Sequence, residues 1–338
     1  MYFELCSTCI TNAVFTNSYR LILKEHKTKT HNIKLINLLS LTILGNNSAI
    51  PAFDRNPTAQ VLQTAEESFL IDCGEGTQMQ LSKYKIKRSR INHIFISHLH
   101  GDHYFGLIGL LTSMSLLNRT QDLHLHAPPE LEQLITLQLN FAATHLCFNL
   151  HFHPLHEEGL IVDGNKMSVA CFKVQHRIAC WGFLFREKKN PRKLNAERAK
   201  IYEIPASFYD KLQEGEDYIN KKGTIVPNEE VTTAASKPKS YAYCADTIYD
   251  ETLAEKVKGV DMLYHETTYL KDLHERAAAR FHSTTIQAAA IAQKAEAKKL
   301  LIGHFSSKYE SLDEFLTETV EVFENTELAI QGCCYIIN

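Results

Sequence analysis

Three histidines and one aspartate lie within one six-residue segment, His98-Leu99-His100-Gly101-Asp102-His103. The apolar residues 94–96, followed by Ser97, come before it and predict a buried strand that ends at a turn. Imidazole nitrogen and carboxylate oxygen are ligands that Zn²⁺ accepts in proteins. His98 and His100 are two residues apart on an extended segment, so they share a face. Asp102 and His103 continue around the turn, where they can reach a second ion. The segment therefore predicts a metal site.

Three more residues of ligand type follow later in the chain, and each comes directly after a short strand-like run. They are His176 after residues 168–175, Asp246 after residues 241–245, and His304 after residues 300–303. Any one of them alone is more often an ordinary histidine or a helix-capping aspartate. The ordered set is a much stronger indication, because several strands can each deliver one ligand to the same edge of a sheet sandwich.

The order HxHxDH, then His, Asp and His, resembles that of the metallo-β-lactamase superfamily. Within it, the chain is similar to the ribonuclease Z family of tRNA 3′-processing endonucleases. The segments that carry this similarity are GNNSAIP (45–51), DCGEGTQ (72–78), HETT (265–268), FHSTT (281–285) and HFSSKY (304–309). The HxHxDH motif alone indicates only the superfamily. The His265-Glu266 and His282-Ser283-Thr284 segments narrow the resemblance to the family.

The resemblance implies an α/β fold, a four-layer αββα metallo-β-lactamase sandwich with a protruding basic arm. Alternating apolar residues predict strands near residues 40–45, 69–72 and 124–127. Helical periodicity predicts helices over the ranges 106–117, 129–141, 284–297 and 311–323. Thr284 and Ser311 are the expected N-caps of the last two.

We expect a catalytic domain over residues 38–338, preceded by an extension over residues 1–37. The extension shows no clean helix or strand period, and we interpret it as disordered or as the product of a start codon assigned too far upstream. It does not resemble a secretory signal, because Glu4 occupies the place of the basic region and no apolar core follows.

The predicted arm covers about residues 186–225 and begins with a run rich in basic residues. They are Arg186, Lys188, Lys189, Arg192, Lys193, Arg198 and Lys200. Such a run is often only a solvated face. In a chain of net charge −3, however, it concentrates positive charge where RNA phosphates could bind, and the resemblance implies a tRNA-binding arm. Ala206-Ser207 replaces the family's Gly-Pro step, so the tip of the arm can differ.

The resemblance further implies two Zn²⁺ ions per subunit, held by His98, His100, Asp102, His103, His176, Asp246 and His304. It assigns three histidines to one ion, two histidines and Asp102 to the other, and Asp246 to both. Two such dications lower the pKa of water and stabilise charge on a phosphoryl group. The same nitrogen and oxygen ligands also accept manganese, so the sequence leaves the metal open.

Three residues are expected to move or steer protons. Asp102 would accept the proton of the nucleophile, and His282 would protonate the leaving ribose 3′-oxygen. Glu266 would orient His282 by accepting its other N–H. Asp72, beside the segment that supports the ligands, is expected to have a structural role.

The expected function is zinc-dependent endonucleolytic removal of the 3′ trailer from precursor tRNA, which leaves a 3′-hydroxyl on the tRNA and a 5′-phosphate on the trailer. The resemblance implies a homodimer. We expect a cytoplasmic protein: no run of about 18 apolar residues could span a membrane, and the nine cysteines are mostly isolated in strand-like segments.

Two other functions stay open at this point. The metal ligands alone are compatible with a small-molecule hydrolase of the same fold, although a small ester would not need the arm or the His282 segment. A non-catalytic RNA-binding protein is the third possibility, and the complete ligand set argues against it. A further group of histidines, at 124, 126, 151, 153 and 156, imitates a metal site, but we expect these residues to line the polar faces of strands.

Overall fold

The computed structural model describes residues 39–338, so the predicted extension at residues 1–37 lies outside the described residues. The strands, numbered in chain order, are β1 Leu39–Gly45, β2 Asn47–Ser48, β3 Ala59–Gln63, β4 Ser68–Ile71, β5 Ile91–Phe95, β6 Leu123–Ala127, β7 Leu150–Pro154, β8 Gly159–Asp163, β9 Met167–Val174, β10 Cys180–Glu187, β11 Lys193–Leu194, β12 Tyr218–Ile219, β13 Ile225–Val226, β14 Thr232–Thr233, β15 Ser240–Cys244, β16 Met262–Glu266, β17 Leu300–Gly303, β18 Phe305–Ser306, β19 Thr326–Leu328 and β20 Cys334–Ile337.

The α-helices are mostly short and lie between the strands. They are α1 Thr77–Lys83, α2 Gly101–Tyr104, α3 Leu107–Leu116, α4 Glu130–Phe141, α5 Ala196–Ile201, α6 Tyr209–Glu214, α7 Asn228–Val231, α8 Leu253–Lys256, α9 His274–Ala279, α10 Thr285–Lys294 and α11 Asp313–Val320. Among residues 39–338, no helix has the length and apolar character that a bilayer crossing needs.

Two seven-stranded sheets form the inner layers of the molecule. The first has the order β20-β1-β3-β4-β5-β6-β7 and the second the order β19-β17-β16-β15-β10-β9-β8. In each sheet, four neighbouring strands are parallel, β4 to β7 in the first and β15, β16, β17 and β19 in the second. Helices cover the outer faces, so the predicted αββα sandwich is confirmed.

The space between the sheets is filled largely by aromatic side chains. Phe95 of the first sheet lies 5.3 Å, centroid to centroid, from both Phe183 and Phe185 of the second. Burial of each such ring stabilises the fold by about 1.5–3 kcal/mol. On the outer face of the first sheet, Leu110 and Leu111 of α3 belong to a second buried cluster. This packing fixes the sheet edges that carry the polar residues.

The carboxyl ends of the parallel strands meet at one end of the sandwich, which we call the site end. The HxHxDH segment follows β5 there, and the backbone N–H of Trp181 on β10 donates to the carbonyl of Ser97 (3.0 Å), which ties the two sheets together. The other residues delivered to this end are Asp72 after β4, His176 after β9, Asp246 after β15, Glu266 at the end of β16 and His304 after β17.

The predicted helix boundaries hold to within a few residues, and local geometry explains the differences. Thr284 is the N-cap of α10 as expected, and its N–H donates to Oε1 of Gln287 (2.9 Å). This helix ends before residue 297 because Glu296 takes a left-handed φ of 52°. The hydroxyl of Ser311 accepts from the N–H of Asp313 (3.2 Å). Leu312 is nevertheless the N-cap, so Ser311 lies one residue outside the position we predicted.

Residues 188–239, between β10 and β15, leave the sandwich and form a small structure. It includes residues 188–225 of the predicted arm, whereas Arg186 and Glu187 are the last residues of β10. It contains the β11–β14 and β12–β13 pairs and helices α5 to α7. Its own apolar cluster consists of Ala199, Ile204, Leu212, Val226 and Val231. Because β15 begins at Ser240 and runs toward Asp246, this segment joins the sandwich at the end opposite the site end.

Five histidines on β5, β6 and β7, at positions 93, 124, 126, 151 and 153, form a grid on one face of the first sheet. His151 and His153 are exposed, as expected for a polar strand face, whereas the burial of His126 differs from that expectation. The ring of His126 is buried and stacks on Phe95 with centroids 4.7 Å apart. Two nitrogen–nitrogen contacts join His93 to His126 (3.1 Å) and His124 to His153 (3.0 Å). Neutral imidazoles can make such contacts, since one nitrogen donates and the other accepts.

This grid is expected to make the fold sensitive to acid. Burial, reinforced by the neighbouring imidazoles, lowers the pKa of His93 to about 4 and that of His126 to about 2. In the unfolded chain both imidazoles have a pKa of about 6.5. The free energy of unfolding therefore has its full value above pH ~6.5. Toward pH 4 it falls by about 1.4 kcal/mol per pH unit for each histidine that the fold keeps neutral.

Urea unfolding of the chelator-treated protein at several pH values measures this slope. His126→Phe should make the slope shallower between pH 6.5 and 4, because one buried titrating group is gone. His156→Gln is the matched control, since His156 is exposed, and it should leave the slope unchanged. An unaltered slope in His126→Phe would contradict the role of the grid.

Candidate metal centre and active site

The turn after β5 places the HxHxDH residues at the site end. His98 and His103 are fully buried, whereas His100 and Asp102 are partly exposed. A Cβ at Gly101 would lie 2.2 Å from the ring of the exposed Phe105, so a side chain here would displace that ring. Burial lowers the pKa of His98 well below its usual value, so its imidazole stays neutral, the form that binds metal.

Three histidines turn one ring nitrogen each toward a common point. His100 Nδ1 lies 3.0 Å from His98 Nε2 and 3.2 Å from His176 Nε2. Asp246 completes this first group, with its Oδ2 at 3.6 Å from His98 Nε2. The four ligand atoms all lie within 4.8 Å of one another.

A second group forms beside the first. His304 Nε2 lies 3.3 Å from His103 Nε2 and 3.4 Å from Asp102 Oδ2. Asp246 belongs here as well, because its Oδ1 is 3.4 Å from His103 Nε2 and 3.2 Å from His304 Nε2. Each carboxylate oxygen of Asp246 thus faces one of the two groups.

The buried Asp246 carboxylate suits a pair of cations. Within the part of the chain that the structure describes, its Oδ1 has no hydrogen-bond partner, although buried polar atoms normally have one. Burial favours the neutral acid, but the imidazoles around it, His304 first, outweigh burial and hold the pKa of Asp246 well below its usual range. A buried, ionised carboxylate whose two oxygens each face a group of histidine ring nitrogens fits divalent metal ions.

Other side chains hold the outer nitrogens of these histidines. Asp72 lies beneath His103, with 2.7 Å between its Oδ2 and His103 Nδ1, and the hydroxyl of Tyr243 donates to the same oxygen (2.6 Å). His304 Nδ1 lies 3.0 Å from the hydroxyl of Thr268. Partners of this kind fix the orientation of metal-ligating rings. The sequence indicated Asp72 but not Tyr243 or Thr268, which are remote in the chain from the histidines they support.

His282 and Glu266 form a pair beside the two groups. His282 Nδ1 lies 3.0 Å from Glu266 Oε1, and the fully buried Glu266 also accepts from the backbone N–H of Ser283 (2.9 Å). The His282 ring lies 5.3 Å from the His176 ring and 5.5 Å from the His304 ring. Burial disfavours the charged imidazole, but Glu266 outweighs burial and raises the pKa of His282 to about 9. The pair therefore presents a protonated imidazole beside both groups.

The structure thus brings together, at the site end, all nine residues that the sequence indicated as metal ligands or proton-transfer groups. A family model for the Anti-Pycsar protein Apyc1 matches residues 39–189. Human tRNase Z, short form, aligns with a TM-score of 0.65 and 26% identity over 88% of this chain and 99% of that chain. The metallo-β-lactamase fold protein YhfI of Bacillus subtilis aligns with a TM-score of 0.64 and 17% identity over 89% and 100%. The fold is that of the metallo-β-lactamases, and its histidine–aspartate cluster marks a protein with a metal cofactor.

Proteins that are similar in sequence show to which family of metallo-β-lactamase fold proteins this chain belongs. Ribonuclease Z of Bacteroides thetaiotaomicron is 43% identical over 300 residues, which are 88% of this chain and 95% of the relative. Ribonuclease Z of Cytophaga hutchinsonii is 43% identical over 302 residues, 88% of this chain and 96% of the relative. The chain belongs to the ribonuclease Z family, and the family predicted from the sequence is confirmed.

Proposed function

We propose that this protein is a zinc-dependent endoribonuclease that removes the 3′ trailer from precursor tRNA. The tRNA keeps a 3′-hydroxyl and the trailer a 5′-phosphate. The observation that carries the proposal is the position of Asp246 between two ligand groups beside the His282–Glu266 pair, in a chain of the ribonuclease Z family. Its relatives are ribonucleases Z of bacteria, whose tRNA is made in the cytoplasm, so the cytoplasm is the proposed location of this enzyme.

Two Zn²⁺ ions per subunit fit the two ligand groups. The residues that would hold them are His98, His100 and His176 for one, Asp102, His103 and His304 for the other, and Asp246 for both. When bound, such ions stabilise negative charge on the phosphoryl group and lower the pKa of water. Five imidazoles favour zinc over magnesium or calcium, which prefer oxygen ligands. Metal analysis of protein purified without added metal separates zinc from manganese.

The side chains of this site divide the proton transfers between them. Asp102 accepts the proton of the attacking water. Burial alone would raise the pKa of its carboxyl group, but His103 and His304 lower it below its usual value, so the acceptor is ionised. His282 donates its Nε2 proton to the leaving 3′-oxygen of the ribose, while Glu266 holds its Nδ1–H.

The arm at residues 188–239 supports a homodimer in which one subunit's arm presents RNA to the partner's active site. The arm leaves β10 at Glu187, and the eight residues of β10 span about 26 Å from the site end. A subunit's arm therefore starts a full strand length from its own active site. The arm carries eleven Lys and Arg against eight Asp and Glu, so its charge is opposite to that of the whole chain and suits phosphates.

Neutralising exposed arm lysines should weaken the binding of tRNA. Lys189 and Lys193 are exposed, whereas Lys188 already pairs with Asp163 (2.5 Å). The Lys189→Ala/Lys193→Ala variant should lower the slope of log K against log salt by about 1 per lysine that contacts a phosphate. Binding titrations from low to high salt measure this slope.

Lys258→Ala/Lys294→Ala is the matched control, because both lysines are exposed and pair with surface glutamates on the second sheet's outer helices. It should bind tRNA like the parent protein. Hydrolysis of bis(p-nitrophenyl) phosphate should not change in either variant. Equal losses on tRNA and on the small diester would mean that the arm lysines support the fold.

Cleavage of end-labelled precursor tRNA by the zinc-loaded protein tests the function itself. We expect a single cut at the 3′ side of the acceptor stem, absent in the Asp102→Ala variant. Turnover of bis(p-nitrophenyl) phosphate with the RNA left intact would instead indicate a small-molecule phosphodiesterase. Size-exclusion chromatography with light scattering tests the dimer.

A further inference from the structure

Phe281 presents an exposed aromatic ring beside the metal centre. Its side chain is 39% exposed, and the ring stands edge-on to the ring of His176, with centroids 6.4 Å apart. The carbonyl of Phe281 lies 2.9 Å from His176 Nδ1 and accepts its hydrogen. Phe281 also directly precedes His282. The ring therefore lies next to both a metal-ligand histidine and the proposed acid.

The backbone conformation of Phe281 gives no reason for an aromatic side chain at this position. Phe281 has a left-handed φ of 57°, which bulky side chains rarely adopt. Glycine would reach the same φ without strain and would offer the same carbonyl to His176. An aromatic side chain kept here despite its strain and exposure indicates a role for the ring itself.

Arg177, the residue after His176 in the chain, supplies a positive charge beside the metal-ligand histidines. It is exposed, and its Nη2 lies 2.8 Å from Nε2 of His100. His100 turns Nδ1 toward the other ligand nitrogens. A histidine that binds metal through Nδ1 keeps its proton on Nε2, and that N–H cannot accept a hydrogen bond from a guanidinium. In the metal-loaded protein, Arg177 is therefore available to an anion.

We propose that Phe281 and Arg177 form a subsite for one unpaired nucleotide, whose base stacks on the Phe281 ring and whose phosphate binds the Arg177 guanidinium. Single-stranded RNA is commonly held by aromatic rings and arginine in this way. Because His282 protonates the leaving oxygen, the nucleotide beside it is the one that carries that oxygen. This proposal rests on the proposed function.

Two substrates and one ring-deleting variant test the subsite. The precursor tRNA carries either its normal base or an abasic site at the nucleotide with the leaving oxygen. Phe281→Ala should lower kcat/KM on the normal substrate by about 5- to 150-fold. On the abasic substrate, the variant and the parent should cleave equally. Phe281→Trp should retain most of the parent's rate, and Arg177→Gln should raise KM more than Arg177→Lys.

Fluorescence gives a readout that does not depend on turnover. With 2-aminopurine at the same nucleotide, binding to the zinc-loaded His282→Ala protein, which cleaves slowly, should quench the emission, and binding to the zinc-loaded His282→Ala/Phe281→Ala protein should not. Phe141→Ala is the matched control, since that ring is 84% exposed on α4, outside the site. Metal content should stay unchanged in Phe281→Ala, because the carbonyl that holds His176 remains.

The outcomes separate the subsite from the function. If the parent cleaves precursor tRNA but Phe281→Ala loses equally on both substrates, or still quenches 2-aminopurine, the subsite is wrong and the nuclease stands. If Phe281→Ala loses metal, the residue only supports His176, and the subsite is also wrong. If the parent does not cleave precursor tRNA, both proposals fail.

Discussion

Asp246→Ala is expected to lose bound metal and nuclease activity together. The carboxylate of Asp246 faces both ligand groups, with one oxygen toward each. Without it, three imidazoles alone would have to hold one dication, and Asp102 would be the single carboxylate left for the other. Loss of the metal removes several kcal/mol of transition-state stabilisation, on the order of 10³-fold in rate. Elemental analysis after dialysis and cleavage of labelled precursor tRNA measure the two losses.

Two further variants test this result: Asp246→Asn removes only the charge, and Asp122→Ala is the control. The asparagine keeps the volume but not the charge, so metal should be lost there too. Asp122 also pairs with a histidine, His151 (2.9 Å), but on the exposed edge of the first sheet, and its variant should keep both metal and activity. Full metal content in Asp246→Ala would exclude Asp246 as a ligand.

The ligand types of this centre could be predicted because each follows a short strand, and parallel strands end together. The HxHxDH segment and His304 were indicated by spacing and resemblance, and the fold brings them within a few ångströms. The choice of ring nitrogen could not be predicted. His100 turns Nδ1 inward while His98 turns Nε2, and this difference depends on the backbone path of the turn after β5.

The sequence also could not predict which side chains support the metal-ligand histidines. The Tyr243 hydroxyl that reaches Asp72 comes from the opposite sheet, 171 residues away, so nothing local signals it. The histidine grid shows the same limit. The alternation of His124 and His126 suits a polar face, but β6 turns that face toward Phe95 and the second sheet. Only the packing of the sheets decides which face is buried.

His282→Ala is expected to keep its metal and to lose about 10²- to 10⁴-fold in the rate of tRNA cleavage. The leaving 3′-oxygen of a ribose is a poor leaving group and needs a proton, and the Glu266 carboxylate keeps His282 protonated, with its pKa raised to about 9 despite burial. No ligand contact is removed, because His282 Nδ1 bonds to Glu266. Single-turnover cleavage together with metal analysis checks both halves of this expectation.

Two substrates whose leaving groups differ in their need for a proton can show whether His282 acts as an acid or only shapes the site. p-Nitrophenolate leaves without protonation, so His282→Ala should lose far less on bis(p-nitrophenyl) phosphate than on tRNA. Glu266→Gln should fall between parent and His282→Ala on tRNA, since an amide still holds the ring but no longer favours its proton, a loss of about 10- to 100-fold. Equal losses of activity on both substrates would mean that His282 has only a structural role in the site. Full activity of His282→Ala on tRNA would mean that His282 has no role in the reaction.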